Sequence, residues 1–179
     1  MVINYEIYHG TTNVSASSIL KDKKFKFTHR DDHWLGNGVY FFINDYSTAQ
    51  WWANNAVKKA SRNSSSIQQS ISPTVLKGMI AVETEQLLDL DSLDDMEKFI
   101  DFVKLISEKY QMTNVSNKHE AMCKLMDTYV EMYNLDAVVY TFDRNNTADM
   151  LYSLGLRQHG RQLCVFNQRV INFTSLKEV

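Results

Sequence analysis

Three short segments concentrate residue types able to bind or react: Tyr8-His-Gly-Thr11, Leu35-Gly-Asn-Gly-Val-Tyr-Phe-Phe42 and Ala49-Gln-Trp-Trp-Ala53. Histidine can hold or move a proton near neutral pH, and tyrosine and tryptophan offer flat faces with a polar edge. Taken singly, each segment also has a plainer reading. A strand-end histidine bonds backbone, an aromatic strand fills a core, and paired tryptophans anchor a helix. His29 and His33, with Asp31 and Asp32 between them, imitate a metal-ligand spacing, but nothing supplies a fixed third ligand, so no metal is expected. No phosphate loop of the Gly-x-x-x-x-Gly-Lys type and no Rossmann glycine fingerprint occurs, so a dinucleotide would have to bind by another route.

The elements that must position these residues follow from local patterning. Tyr5 to His9 alternates as a strand, and Asn13 caps a short helix through Leu20. Lys24 to Thr28 alternates charged and aromatic residues as a half-exposed strand would, and Gly36-Asn-Gly38 turns into the strand Val39 to Phe42. Asp45 caps a helix with Ala49, Trp52, Ala53 and Ala56 on one face, and Trp52 is read as its core anchor. The polar tract Ser61 to Ser70 is expected to be a mobile loop. Pro73 precedes a strand from Val75 to Val82 that continues toward Leu87 to Leu90. From Ser92 the period changes: Phe99, Phe102, Val103, Ile106 and Tyr110 form one helical stripe, with Asp94 and Asp95 favouring the helix start. Asn117 with Glu120 opens a second helix bearing Met122, Leu125, Met126, Tyr129 and Tyr133. Asp136 to Phe142, Gln162 to Phe166 and Val170 to Phe173 return to strand character. Strands before, between and after helices, without regular βαβ alternation, predict an α+β fold in one domain spanning 1–179, with a helical insertion at about residues 92–133.

Composition sets the bounds. The 179 residues are 44% hydrophobic and 22% charged, ordinary globular usage. No run approaches the roughly 18 apolar residues of a membrane helix, and the N-terminus carries no signal pattern, so a cytoplasmic protein without membrane contact is expected. Cys123 and Cys164 lie in apolar stretches and read as reduced core thiols. The net charge of −2 gives no global pull toward nucleic acid, although Lys21 to Arg30 and Arg144 to Arg169 lean basic and Glu83 to Asp101 is acidic.

The three segments, in this order, resemble the NAD-binding half of the ADP-ribosyltransferases of the poly(ADP-ribose) polymerase-like or diphtheria-toxin type. That family opens with a strand ending in His-Gly-Ser or His-Gly-Thr and a short helix with an Ile-Leu pair, matched by Tyr8 to Thr11 and Ile19-Leu20. A Gly-x-Gly-(Ile/Val)-Tyr-Phe strand follows, matched by Gly36 to Phe41, and then a helix that brings a second aromatic over the nicotinamide, a position that falls on Trp51. The match covers residues 5–56 well and the rest in outline. It implies a split β-sheet core and a site in which His9 bonds the adenosine ribose, Gly10 and Thr11 meet NAD, Thr48 contacts the carboxamide, and Arg30 and His33 lie in a loop over the adenosine side. Tyr40 and Trp51 would clamp the flat, cationic nicotinamide by stacking and cation–π attraction of about 0.5–2 kcal/mol each. A Cβ at position 10 would obstruct the approach of the backbone to the carboxamide.

The family's third signature is a late strand opening on glutamate, and here Gln162-Leu-Cys-Val-Phe166 stands in its place. A neutral amide can hold the ribose 2′-hydroxyl but cannot balance the positive charge that develops as nicotinamide leaves. Chain elongation is therefore not expected. Glu83 is the alternative acid should Gln162 not hold the ribose, and His159 and Arg161 lie either against a diphosphate or acceptor or in a solvated loop. The resemblance implies a mono-ADP-ribosyltransferase with His9, Tyr40 and Gln162 as its catalytic group, NAD as co-substrate and a macromolecular acceptor, protein or RNA or DNA. By analogy a toxin, defence or regulatory role would follow. A non-catalytic module that binds NAD or ADP-ribose, and an NAD glycohydrolase, are the rivals; they share the pocket and differ only after nicotinamide is bound.

Overall fold

The computed structural model describes residues 1–30, 33–63, 70–109, 117–143 and 159–179. The fold is α+β and comprises, among the described residues, a mixed seven-stranded sheet and four α-helices. In chain order these are β1 (Val2–Thr12), α1 (Asn13–Asp22), β2 (Val39–Ile43), α2 (Tyr46–Asn63), β3 (Pro73–Glu83), β4 (Leu87–Asp89), α3 (Leu93–Lys109), α4 (Lys118–Tyr133), β5 (Ala137–Asp143), β6 (His159–Val165) and β7 (Ile171–Glu178). No helix among them is long and apolar enough to cross a membrane.

The sheet order β4-β5-β6-β2-β1-β3-β7 separates β3 from β4 by five strand steps, yet the single 3-10 turn Thr84–Gln86 joins them. A flat sheet would require roughly 24 Å at about 4.8 Å per step, and four Cα–Cα steps of 3.8 Å reach only about 15 Å. The sheet must therefore roll, and its core records this. One apolar cluster unites Tyr5 and Ile7 of β1, Leu76 and Ile80 of β3 and Ile171 of β7 with Phe41 of β2, Leu87 of β4, Val139 of β5 and Leu163 of β6. The strand expected to continue from Val82 into Leu87 is thus two strands on opposite sides of the sheet. β4 runs parallel to β5, and α3 and α4 form the crossover that a parallel pair needs.

The opposite face carries two separate clusters. Phe99, Phe102, Met126, Tyr129 and Val130 of α3 and α4 pack on Val138 and Cys164. Ala49 and Ala53 of α2 pack on Phe42, Val75 and Tyr8. Phe42 of β2, Phe142 of β5 and Gln162 of β6 line the cleft described below.

Several local expectations shift. Thr12, not Asn13, caps α1, its hydroxyl accepting from Ser15 N–H at 3.2 Å, while Asn13 ties the helix to the backbone of Ser70 and Ser72. Lys24 to Thr28 forms no strand. The Gln168 side-chain amide takes the role of a neighbouring strand, accepting from Phe25 N–H at 2.8 Å and donating to the Phe25 carbonyl at 2.9 Å. Ser61 to Asn63 belongs to α2; the rest of the polar tract through residue 69, Tyr110 and the basic stretch 144–158 lie outside the described residues.

Candidate functional site: a cleft at the split between two strands

β1 and β2 pair only at Ile7↔Ile43 and Tyr8↔Phe42. The Glu6 carbonyl also accepts from Asn44 N–H at 3.1 Å, which fixes that Glu6, Tyr8 and Gly10 direct their main-chain polar groups toward β2, because these alternate along a strand. The next partners in that ladder would be Gly10 and Tyr40. They do not pair, although β1 remains in unbroken register with β3 from Val2 to Thr12. The strands diverge here, and His9 spans the gap: its Nδ1 lies 2.9 Å from the Tyr40 carbonyl. A carbonyl can only accept, so Nδ1 carries the proton and Nε2 is an acceptor. Burial lowers the His9 pKa below its ordinary 6.5, opposed by that hydrogen bond, so the ring is neutral at pH 7. Phe25 and Phe41 hold it at ring-centroid distances of 5.0 and 5.6 Å.

The divergence opens a cleft of about 470 Å³ lined by His9, Gly10, Arg30, His33, Trp34, Tyr40, Phe42, Trp52, Phe142 and Gln162. Gln162 sits in its floor because β6 pairs it with Phe42 on one side and Tyr140 on the other. A second cleft of about 380 Å³ lies across the split, where Thr11, Lys24, Lys26 and Lys59 join the same His9, Arg30, His33 and Tyr40. Four side chains therefore border both clefts, so the two adjoin and together make one groove on either side of the His9–Tyr40 hydrogen bond.

Tyr40 is fixed by its hydroxyl, which donates to the Gly36 carbonyl at 3.0 Å and accepts from Leu35 N–H at 2.9 Å. Burial drives its pKa upward, so the hydroxyl keeps its proton. The turn it grips is held in turn by Asp127 of α4, which accepts from Asn37 N–H at 2.6 Å and from Asn37 Nδ2 at 2.9 Å. Gly36 has φ +83°, and a Cβ there would stand 2.6 Å from Asp127 Oδ1. Asp127 escaped the sequence reading, which took α4 as packing surface alone. The available signal was an acid one turn beyond Cys123 on the same helix; the Cys123 thiol donates to the Arg30 carbonyl at 3.3 Å, beside the same turn.

The expected site residues are partly assembled. His9, Gly10, Arg30, Tyr40 and Gln162 share the first cleft, and Thr11 borders the second. Trp51 does not line either: it is 59% exposed, and the ring on the cleft wall is that of Trp52, one residue on and 49% exposed rather than a core anchor. Thr48 is also absent from the lining, its hydroxyl donating to the Asp45 carboxylate at 2.6 Å as part of the α2 cap. Glycine at position 10 answers first to packing, since a Cβ there would lie 1.8 Å from the Ala49 carbonyl oxygen of α2. Glu83 pairs with Val2, seven residues from His9 along β1 and so roughly 23 Å away, and it binds the N-terminal ammonium at 3.3 Å. Arg161 is bound to Asp89 at 2.9 Å and Asp91 at 3.1 Å. The side chain of His159 lies outside the described residues. His29 and His33 face different rings, those of Phe27 and Tyr40.

No protein-family model matches the chain. A protein of Methanocaldococcus jannaschii, described as uncharacterized, is 27% identical over 106 residues, 59% of this chain. The matched stretch spans 46% of that relative's length, so this chain corresponds to about half of it. No solved structure matches.

Proposed function

We propose that the groove binds NAD and that the chain is a mono-ADP-ribosyltransferase with the split-sheet core of that class, nicotinamide lying in the first cleft and the diphosphate and adenosine passing through to the second. The observation that carries this reading is the unpaired ladder position between Gly10 and Tyr40, flanked by aromatic rings. A primary carboxamide has one donor group and one acceptor, which matches a main-chain N–H and C=O directed into the gap. The Tyr40 and Trp52 rings border the same space and offer faces to a cationic heterocycle. Nε2 of His9 can accept from a ribose hydroxyl, and Lys24, Lys26, Arg30 and Lys59 supply positive charge for the diphosphate.

In the reaction the bond from the ribose C1′ to the nicotinamide nitrogen breaks, its electron pair leaves with nicotinamide, and an acceptor lone pair closes on C1′ as the acceptor loses a proton. Gln162 would hold the 2′-hydroxyl by its amide without adding negative charge. That neutrality favours a second reading, a module that binds NAD without turnover. NAD labelled in the adenylate part separates the two. Labelled macromolecule signifies transfer, free ADP-ribose signifies hydrolysis, and tight binding with neither signifies a reader. Tyr40→Ala should abolish binding and any turnover; an unchanged affinity in that variant would remove the cleft assignment.

A further inference from the structure

α2 carries a face that the NAD reading leaves unused. Its buried side is built of Ala49 and Ala53 against β1 and β3. At 100° per residue, Trp51, Asn55, Lys58 and Arg62 fall on one stripe on the opposite side, with Trp52 and Lys59 together on its flank. Lys58, Lys59 and Arg62 are all exposed, and no Asp or Glu occurs between Tyr46 and Asn63. The flank leads into the groove, where Trp52 lines the first cleft and Lys59 the second. Across the first cleft stands Trp34, 46% exposed and packed on His119 at 4.2 Å. Trp51 and Trp52 meet at right angles with centroids 5.2 Å apart, so their faces point in different directions along the rim.

We infer that this face docks single-stranded nucleic acid and that, resting on the NAD reading, the acceptor is one of its bases. Exposed indoles with cations along a helix, and no acid among them, combine base stacking with backbone neutralisation, the two contributions single strands require. A peptide acceptor would have no use for the aligned cations Lys58 and Arg62 unless it were acidic, and a duplex would hide the base faces that the indoles need. A strand with one base stacked on Trp51 carries its next base past the rim at Trp52, to the mouth of the cleft whose floor holds Gln162. There a base nitrogen can donate its lone pair to the ribose C1′ as the bond to nicotinamide breaks, with nicotinamide taking that electron pair and the base releasing its proton to solvent.

The test is fluorescence anisotropy of labelled 12-nucleotide single strands, DNA and RNA, against a duplex of the same sequence, followed by transfer with adenylate-labelled NAD. Single strands should bind more tightly than duplex, with a log–log salt slope of about −1.4 for two phosphate contacts. Trp51→Ala should weaken binding about tenfold or more. The double variant Lys58→Glu, Arg62→Glu should remove oligonucleotide binding and labelling while nicotinamide release into water stays as in the parent protein, and an unchanged melting temperature would certify its fold. Equal affinity of parent and double variant would overturn the docking surface. Labelling of protein in nuclease-treated lysate with the oligonucleotide left unmodified would overturn the acceptor assignment and leave the NAD reading standing. Oligonucleotide binding without any nicotinamide release or NAD affinity would uphold the docking face and overturn the acceptor role together with the NAD reading.

Discussion

Gly10 of β1 and Ala49 of α2 approach so closely that a β-carbon on Gly10 would lie 1.8 Å from the Ala49 carbonyl oxygen and 2.7 Å from the Ala53 nitrogen. The obstacle is helix backbone, which cannot rotate aside as a side chain would. Gly10→Ala therefore has to displace α2, and with it Trp52 on the cleft wall. The expected loss is about 3 kcal/mol or more, the upper end of overpacking effects. In a domain of this size that lowers the melting temperature by roughly 6–12 °C. Thermal unfolding of the protein without ligand measures it, and a variant as stable as the parent would show that helix and strand are not in contact here.

His9 supplies a pH signature with a definite sign. Its folded pKa lies below the ordinary 6.5 because burial disfavours the imidazolium. The unfolded chain then binds more protons than the folded one as pH falls below about 6.5, so stability drops with acidification. The contribution is complete above the unfolded pKa, is lost as pH falls toward the lowered folded value, and changes no further below it. His9→Asn keeps a donor for the Tyr40 carbonyl but does not titrate. The difference in melting temperature between parent and variant should shrink from pH 7.5 to pH 5; a constant difference would mean that His9 is already charged or freely solvated.

Patterning revealed the elements more readily than their assembly. The stripes that announced α3 and α4 lie largely on the buried faces of those helices, with Phe99, Phe102, Met126 and Tyr129 in one cluster, because periodicity reports burial directly; Tyr133, at the end of the second stripe, is exposed. Lys24 to Thr28 misled for the converse reason: alternation reports which side is buried, not what the backbone bonds to, and Gln168, 143 residues away, supplies those bonds. The rolled sheet was likewise invisible, since nothing local distinguishes a connection within one strand from a turn between two. At the site, the resemblance of the segments around His9, Tyr40 and Gln162 to the ADP-ribosyltransferases carried the expectation that they meet, and all three line the first cleft. Which of two adjacent tryptophans faces the cleft depends on helix phase, and that phase is set by Ala49 and Ala53 packing under Gly10.

Asp127 acts as a positioning residue for Tyr40. Its carboxylate holds Asn37 by main chain and side chain, and the Gly36 carbonyl of the same turn receives the Tyr40 hydroxyl. Asp127→Ala should destabilise the fold by about 1.5–3 kcal/mol, the range for hydrogen bonds to a charged partner. On the proposed NAD reading it should also weaken NAD binding although the side chain touches neither cleft, and Asp127→Asn, which keeps an acceptor for Asn37 N–H, should recover part of both. Calorimetric titration with NAD well below the melting temperature separates the effects. Affinity unchanged in a destabilised Asp127→Ala variant would reduce the residue to a purely structural role.

On the NAD reading proposed above, Gln162→Glu asks whether the floor of the cleft is where ribose reacts. The new carboxylate would lie between Phe42 and Tyr140 on the neighbouring strands, beneath Phe142 and Trp52 on the walls, so burial should raise its pKa above the usual carboxylate range. Once ionised it would place negative charge beside a ribose that becomes positive as nicotinamide departs, an electrostatic gain the amide cannot provide. Single-turnover nicotinamide release should rise by roughly 10²-fold, within the range of about 10²–10³ seen when one such stabilising group is removed elsewhere. The gain should appear only above the raised carboxylate pKa, so the ratio of the variant's rate to the parent's climbs with pH. NAD affinity should change far less than the rate, because the developing charge belongs to the transition state and not to the bound dinucleotide. If release is no faster at any pH while affinity is preserved, Gln162 does not face the scissile bond, and the reacting ribose must lie elsewhere in the groove.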